Sequence, residues 1–372
     1  MSVLRKIWKL TWQIGLCLTL LIWIFHSIFI NEGRLAAGKR GVNWEQLSKV
    51  QQWKIAWTAG PHELWQTLKL VHPGAMALSL VLVGVTIVLG VIRWRMVLEV
   101  QGLHLPLRRA TGITFVAQFF NSFLLGSTGG DLIKAYYAAR ETHHKKTEAV
   151  VTVFVDRLLG LWSMLLFAAL MMLPNLRLLF THEKLGACAL LILSMLVTCS
   201  VVLGVAFWGG LSKRFSKGRS WLRKMPKGEL LERSLDSCRQ FGHQPAFVLK
   251  SIMLSMSLNA VCVLQVITLA KGLGLVISPV ALFVMVPIII CISALPITPS
   301  GIGVRENLFV LMLAAPEINI PATSALSLSL LTYAGSLFWS VVGGVVYVGL
   351  KDREHLEEVT HEWESGKVSE RE

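Results

Sequence analysis

The sequence predicts an all-α polytopic membrane protein with about six spanning helices and two opposed re-entrant helical hairpins, arranged as an inverted-repeat transporter. Three observations predict it. The 372 residues are 54% hydrophobic and only 16% charged, and the mean hydropathy is +0.60. Soluble chains hold about 45–50% apolar and about 25% charged residues, because a water-facing surface has to be largely polar. Several uncharged runs reach 19 residues or more, the length a helix needs to cross a hydrocarbon core of about 30 Å. Two further apolar stretches are broken by Gly, Pro, Ser and Thr, and irregular backbone at membrane depth must be buried in protein or line a wet cavity. A soluble enzyme, a fibre and a disordered tail protein are excluded. Eight straight spanning helices is the alternative that the same composition allows.

The first uncharged run, Thr11–Ile30, follows Arg5, Lys6 and Lys9. It is too long for a signal-peptide core and has no small-residue cleavage site before Asn31, so it reads as a retained first helix. Residues 31–73 interleave Trp44, Trp53, Trp57 and Trp65 with Lys49, Lys54 and Lys69. That pattern predicts an amphipathic helix in the outer interface, as an aromatic anchor or a lipid-gathering element. The helix and this segment make up residues 1–73. A transmembrane domain follows over 74–350, with spans at Gly74–Ile92, Ala149–Leu173, Leu185–Trp208, Ser251–Ala270, and from near Thr323 to Leu350. Its two irregular stretches are Thr111–Gly130 and Gly272–Val304, the second continued by Asn307–Ala315. Residues 209–250, with ten basic and three acidic residues, read as a cytoplasmic loop. The tail, 351–372, holds eight acids and reads as a helix end that frays into disorder.

Charge gives the orientation. The formal net charge is +14, from 36 Lys and Arg against 22 Asp and Glu. With a cytoplasmic N-terminus and each irregular stretch returning to its side of entry, the cytoplasmic pieces hold 25 Lys and Arg and the exterior pieces 9. Basic residues collect on the cytoplasmic side, so both termini are expected there, in a bacterial inner membrane. The two hairpins then enter from opposite sides. Anionic headgroups, rather than nucleic acid, account for the basic excess. The six cysteines show no CxxC or Cys/His cluster, so packing thiols are expected, with no metal and no disulfide framework. His143 and His144 have no partners at ligand spacing. No GxxxxGK[ST], HExxH or GxSxG motif occurs, and no cofactor is expected.

Charges at membrane depth are costly and point to function. Asp131, Asp156, Arg157, Arg305 and Glu306 sit in or beside apolar runs, with Lys134 one turn from Asp131. Helical neighbours point about 100° apart, so Asp156 and Arg157 are expected to meet different hairpin charges. Asp156 would meet Lys134 or Arg305, and Arg157 would meet Asp131 or Glu306. Such a set is either a structural ion-pair network or a polar cavity for a phosphate headgroup, to which Arg offers bidentate bonds. The hairpin tips have matching backbone. Gly126, Gly129 and Gly130 precede a helix with Asp131 in its first turn; Pro296, Pro299, Gly301 and Gly303 precede one with Glu306 there. Acids suit a helix N-terminus, and broken helices also aim free N–H groups at anions.

Three stretches, 121–134 (Asn121 to Lys134), 155–160 (Val155 to Gly160) and 295–307 (Leu295 to Asn307), carry a resemblance. They resemble the lysylphosphatidylglycerol synthase transmembrane-region family, the flippase half of the bacterial multiple-peptide-resistance factor and its stand-alone relatives. With the span pattern, the resemblance covers roughly residues 75–350. It implies an integral inner-membrane protein that moves or handles lipids with phosphate-bearing or isoprenoid headgroups; some relatives are linked to hopanoid and dolichol-type pathways. Gly129, Gly130 and Asp131 match the first motif, Asp156 and Arg157 the second, and Pro299, Gly301, Gly303, Arg305 and Glu306 the third. Lys134 stands where many relatives carry Arg. The synthase's soluble aminoacyl-transferase domain is missing, so no enzymatic activity is expected. The resulting expectation is a lipid flippase whose partners are anionic or phosphate-bearing lipids. The alternative is a scaffold or accessory subunit of lipid or glycan synthesis, acting as a homo-oligomer or beside a partner enzyme.

Overall fold

The structure, a computed structural model, describes residues 43–123, 129–141, 146–176, 183–207, 237–295, 298–316 and 318–369, with scattered positions from 22 to 38. The predicted first helix, Thr11–Ile30, lies largely outside the described residues. So do Gly126, Pro296, His143, His144 and most of 209–250.

A 3-10 turn at Trp44–Gln46 leads into α1 (Lys49–Lys69). The Ser48 hydroxyl accepts from the Gln51 N–H at 3.4 Å, and the Gln51 amide oxygen accepts from the Ser48 N–H at 3.0 Å, a reciprocal start for a helix. α1 buries Gln52 and Ala56 and leaves Trp53, Trp57 and Trp65 exposed, the amphipathic face the sequence predicts. Trp44 departs from that expectation and is buried, its carbonyl accepting from Gln52 Nε2 at 2.9 Å.

Two central helices share one design. α2 (Pro73–Val100) and α7 (Pro245–Gly272) are each 28 residues long and each opens on proline. Each is followed by a left-handed glycine, Gly102 with φ 66° and Gly274 with φ 70°. One residue further, Leu103 and Leu275 donate back to the Leu98 and Ala270 carbonyls at 3.0 and 2.9 Å, a closure that a left-handed glycine permits. Pro73, Gly102 and Leu107 therefore correspond to Pro245, Gly274 and Pro279, each 172 positions on. α2 and α7 pack side by side.

Each central helix is followed by two short helices and a long one. The first half continues with α3 (Leu107–Phe123), α4 (Gly129–Glu141) and α5 (Lys146–Met172). After α6 (Glu183–Phe207), the second half runs α7, α8 (Pro279–Ser293), α9 (Val304–Leu313) and α10 (Ala322–Ser369). α5 packs on α4 of its own half and on α8 of the other; α10 packs on α9 of its own half and on α3 of the other. Two hairpins exchanged between matching halves are what an inverted repeat produces.

The hairpin arms are short. At 1.5 Å per residue, the 17 and 13 residues of α3 and α4 reach about 25 and about 20 Å. The 15 and 10 residues of α8 and α9 reach about 22 and about 15 Å, all below a core of about 30 Å. α2, α6, α7, Thr147–Met172 of α5 and Ala322–Gly349 of α10 are long and apolar enough to span. Arg109 near the start of α3 pairs with Glu141 at the end of α4, so the first hairpin opens to one side. Its tip meets that of the second: Ser300 Oγ donates to the Asn121 carbonyl at 3.0 Å.

Outward faces are apolar. Leu78, Val81, Val85, Val88 and Ile92 of α2, and Val197, Val201 and Val205 of α6, are exposed at helical spacing. A continuous surface of that kind is suited to lipid rather than water. The chain is an all-α polytopic membrane protein.

Three boundaries differ from the sequence reading. The first hairpin does not end at Gly130: its returning arm is α4, inside what reads as the loop 131–148. α2 runs on to Val100, through residues that read as loop, because Arg93 finds a buried partner and need not leave the protein. The last helix runs to Ser369, beyond the Leu350 at which the sequence reading ends the span; neither Pro nor Gly interrupts it between Gly349 and Gly366.

Candidate functional site

Four helices carry charged or polar groups to one place. Arg93 (α2) and Lys134 (α4) lie seven residues from their helix C-termini, and Asp156 (α5) and Ser255 (α7) ten residues from their N-termini. These counts amount to roughly 10–15 Å along each helix axis. The ends share one side of the protein: Gln101, after α2, donates to the Ser237 carbonyl before α7 at 2.8 Å.

Asp156 accepts from Arg93 Nε at 2.8 Å and from Lys134 Nζ at 3.2 Å. The Lys134 and Asp156 side chains are each only 9% exposed. Arg93 also donates from Nη1 to Ser255 Oγ at 3.1 Å. Lys134 Nζ stands 4.2 Å from the centre of the Trp94 ring, a favourable seat for a desolvated cation. Gly160 lies one turn from Asp156 on the same helix face. A Cβ there would come within 2.9 Å of Arg93 Nη2, so the missing side chain admits the guanidinium.

Arg157 points elsewhere. Its Nε sits 3.5 Å from Asp131 Oδ2, and the two side chains are 47% and 28% exposed. The pair is longer and more open than the buried one beside it. Asp131 is fixed by the glycines before it. Gly130 donates its N–H to Asn121 Oδ1 at 2.8 Å, and a Cβ on Gly130 would collide with the Ala117 carbonyl. α4 therefore lies against α3 only because Gly130 has no side chain. Gly129 beside it is buried.

The second hairpin holds its own pair. Glu306 is 1% exposed. Its Oε2 accepts from the Gly303 N–H at 2.6 Å, and its Oε1 accepts from Arg305 Nη2 at 2.6 Å and Nε at 3.2 Å. Ser329 Oγ of α10 approaches the same oxygen at 3.5 Å. The Arg305 guanidinium lies 4.2 Å from the centre of the Tyr333 ring. Pro299 and Gly301 bound a 3-10 turn before α9. Gly303 then takes φ 86°, a left-handed value that only glycine adopts without strain.

Two expected pairs form, Asp156 with Lys134 and Arg157 with Asp131. Arg305 and Glu306 instead pair with each other, because Glu306 turns back over its own helix start and brings its carboxylate under the neighbouring guanidinium. Arg93 is the functional candidate that the sequence reading missed, having been assigned to a loop. Its signal was the buried carboxylate Asp156, which sets two cations around itself. Among the described residues no group of three or more His, Cys, Asp or Glu is placed to hold a metal.

A family model described as the lysylphosphatidylglycerol synthase TM region matches residues 50–344. The chain belongs to that family. The match starts inside α1 and takes in both hairpins. A UPF0104 membrane protein of Methanothermobacter thermautotrophicus is 25% identical over 300 residues, covering 73% of this chain and 83% of the relative. The three stretches that carry the resemblance to the lysylphosphatidylglycerol synthase TM region hold Asn121 and Gly130, Asp156 and Arg157, and Gly303 to Glu306. The same stretches hold Asp131, Lys134 and both residues of the tip contact, Asn121 and Ser300, whereas Arg93 lies outside them.

Proposed function

We propose that the chain is a lipid translocase that carries a phosphate-bearing headgroup across the membrane between its two hairpins. The observation that supports this best is Arg157. It is a half-exposed guanidinium on a spanning helix, held only loosely by Asp131, beside a buried cluster whose carboxylate is fully engaged. A phosphate approaching Arg157 displaces the long contact to Asp131 and accepts two parallel N–H bonds. Arg93, Lys134 and Asp156 hold α2, α4 and α5 around that point. Arg305 and Glu306 position the second hairpin tip. The headgroup passes where Ser300 meets Asn121, so the two tips part during each cycle. The excess of Lys and Arg in the sequence supports a cytoplasmic location for the side to which the first hairpin opens.

Reconstitution into vesicles with fluorescent phospholipids and polyprenyl phosphates tests this reading. Headgroups should move between leaflets faster than in protein-free vesicles. Arg157→Gln should abolish the gain, and Arg157→Lys, which keeps the charge but loses the planar fork, should reduce it. Movement no faster than in empty vesicles overturns the proposal. Retention of lipid without movement would point to a scaffold, and headgroup cleavage to an enzyme.

A further inference from the structure

The tip of the second hairpin joins the end of α8 to the start of α9, and several of its polar groups are matched. Glu306 accepts from the Gly303 N–H, Asn307 Nδ2 donates to the Gly303 carbonyl at 2.6 Å, and Ser300 donates to the Asn121 carbonyl. Two hydroxyls are not matched. Ser293 Oγ, on the last residue of α8, and Thr298 Oγ1 are both closed off from solvent, with no hydrogen-bond partner among the described residues. Thr298 as a whole is only 5% exposed. Gly301 brings the two residues together. Its N–H donates to the Thr298 carbonyl at 3.2 Å. A Cβ on it would stand 2.6 Å from the Ser293 carbonyl oxygen and 3.0 Å from Ser293 Cβ, so residues 298–301 lie directly against the last turn of α8. A buried hydroxyl without a partner costs free energy, and two at one tip call for something that binds them.

The geometry points to a cation site at this tip: a dehydrated monovalent cation of sodium size, held by the Ser293 and Thr298 hydroxyls and the carbonyl end of α8. Three observations set its class. The donors are neutral hydroxyl and carbonyl oxygens, which suit a hard cation rather than a transition metal. The carboxylate at the tip, Glu306, has one oxygen on the Gly303 N–H and the other on Arg305, so it does not supply the charge that a divalent ion needs. A helix C-terminus carries roughly half a negative charge, which a single positive charge offsets. Discontinuous helices in transporters bind sodium at ends of this kind. The ion ties α8 to the loop on which Ser300 makes the contact with the first hairpin. Its binding does not depend on what the protein moves.

The test is melting of the purified full-length chain in detergent with NaCl, KCl or choline chloride at fixed ionic strength, together with direct binding of radioactive sodium. The melting temperature should rise with Na+ along a saturating curve and stay flat in choline. Thr298→Val keeps the shape of the side chain, removes the hydroxyl and should weaken Na+ binding on the order of tenfold. Ser293→Ala should do the same, and serves if the first variant fails to fold. If no ion binds, deleting an orphaned hydroxyl should instead raise the melting temperature equally in all three salts, and that result overturns the proposal. A buried water in place of the ion gives an equal lowering in all three salts, which overturns it as well. Equal stabilisation by K+ overturns the assignment to a sodium-sized ion.

Discussion

Replacing Asp156 by Ala leaves Arg93 and Lys134 facing each other in a buried site, without the carboxylate that both contact. Removing one member of a buried ion pair costs about 3–5 kcal/mol, so Asp156→Ala should lower the melting temperature in detergent sharply. Adding Lys134→Met should recover part of the loss, because one stranded cation goes with it. A single variant that melts with the unaltered chain would show that Asp156 is not the centre of this cluster. Arg157 and Arg305 should respond differently to the same change. Arg305→Lys loses both the fork on Glu306 and the contact with Tyr333, and should cost about 1 kcal/mol of stability while transport continues. Arg157→Lys should leave stability unchanged and slow transport. Equal effects on transport would assign both arginines to the substrate. Most of these residues were legible because a charge inside an apolar run stands out. Arg93 was hidden because it follows its run and resembles the first residue of a loop. Ser255 and Ser329 were hidden because isolated serines are common in spanning helices and only packing distinguishes these two.

At the scale of the element, the close fit of α4 on α3 depends on Gly130. Gly130→Ala drives a methyl group into the Ala117 carbonyl and should split the first hairpin, with loss of both stability and transport. Gly90→Ala is the matched control: nothing lies within 4 Å of its added Cβ, and helix stability should rise by about 0.5–1 kcal/mol. Melting curves of the two variants decide it, and similar melting temperatures would mean that the arms are not tightly apposed. Cysteines at positions 121 and 300 should form a disulfide across the tips and stop lipid movement until reduced. Movement that persists in the oxidised protein would place the route elsewhere. The hairpins were visible in the sequence as Gly and Pro breaks in apolar runs. Their returning arms were not, because Lys134 lies among residues of loop-like composition and only its partner shows that it is buried. The correspondence between α2 and α7 was equally hidden. It resides in helix ends, a proline at the start and a left-handed glycine before leucine at the close, while the side chains between them differ.

For the whole molecule, the loops after α2 and after α7 should face opposite compartments. In a cysteine-free background, cysteine at position 276, where the native Val276 is 95% exposed, should label from outside intact cells. Cysteine at the exposed His104 should label only after lysis. Labelling of both from the same side would break the inverted arrangement. That arrangement has a consequence for how such a chain arises. Two copies with an even number of crossings each face opposite ways when one further crossing separates them. The first copy has Arg95, Arg108, Arg109 and Arg140 near its α2–α3 and α4 ends, whereas residues 273–293 of the second contain no charge at all. Each half has two spanning helices, so a head-to-tail repeat alone would face the same way twice; the single crossing of α6 between the halves is what turns the second one over.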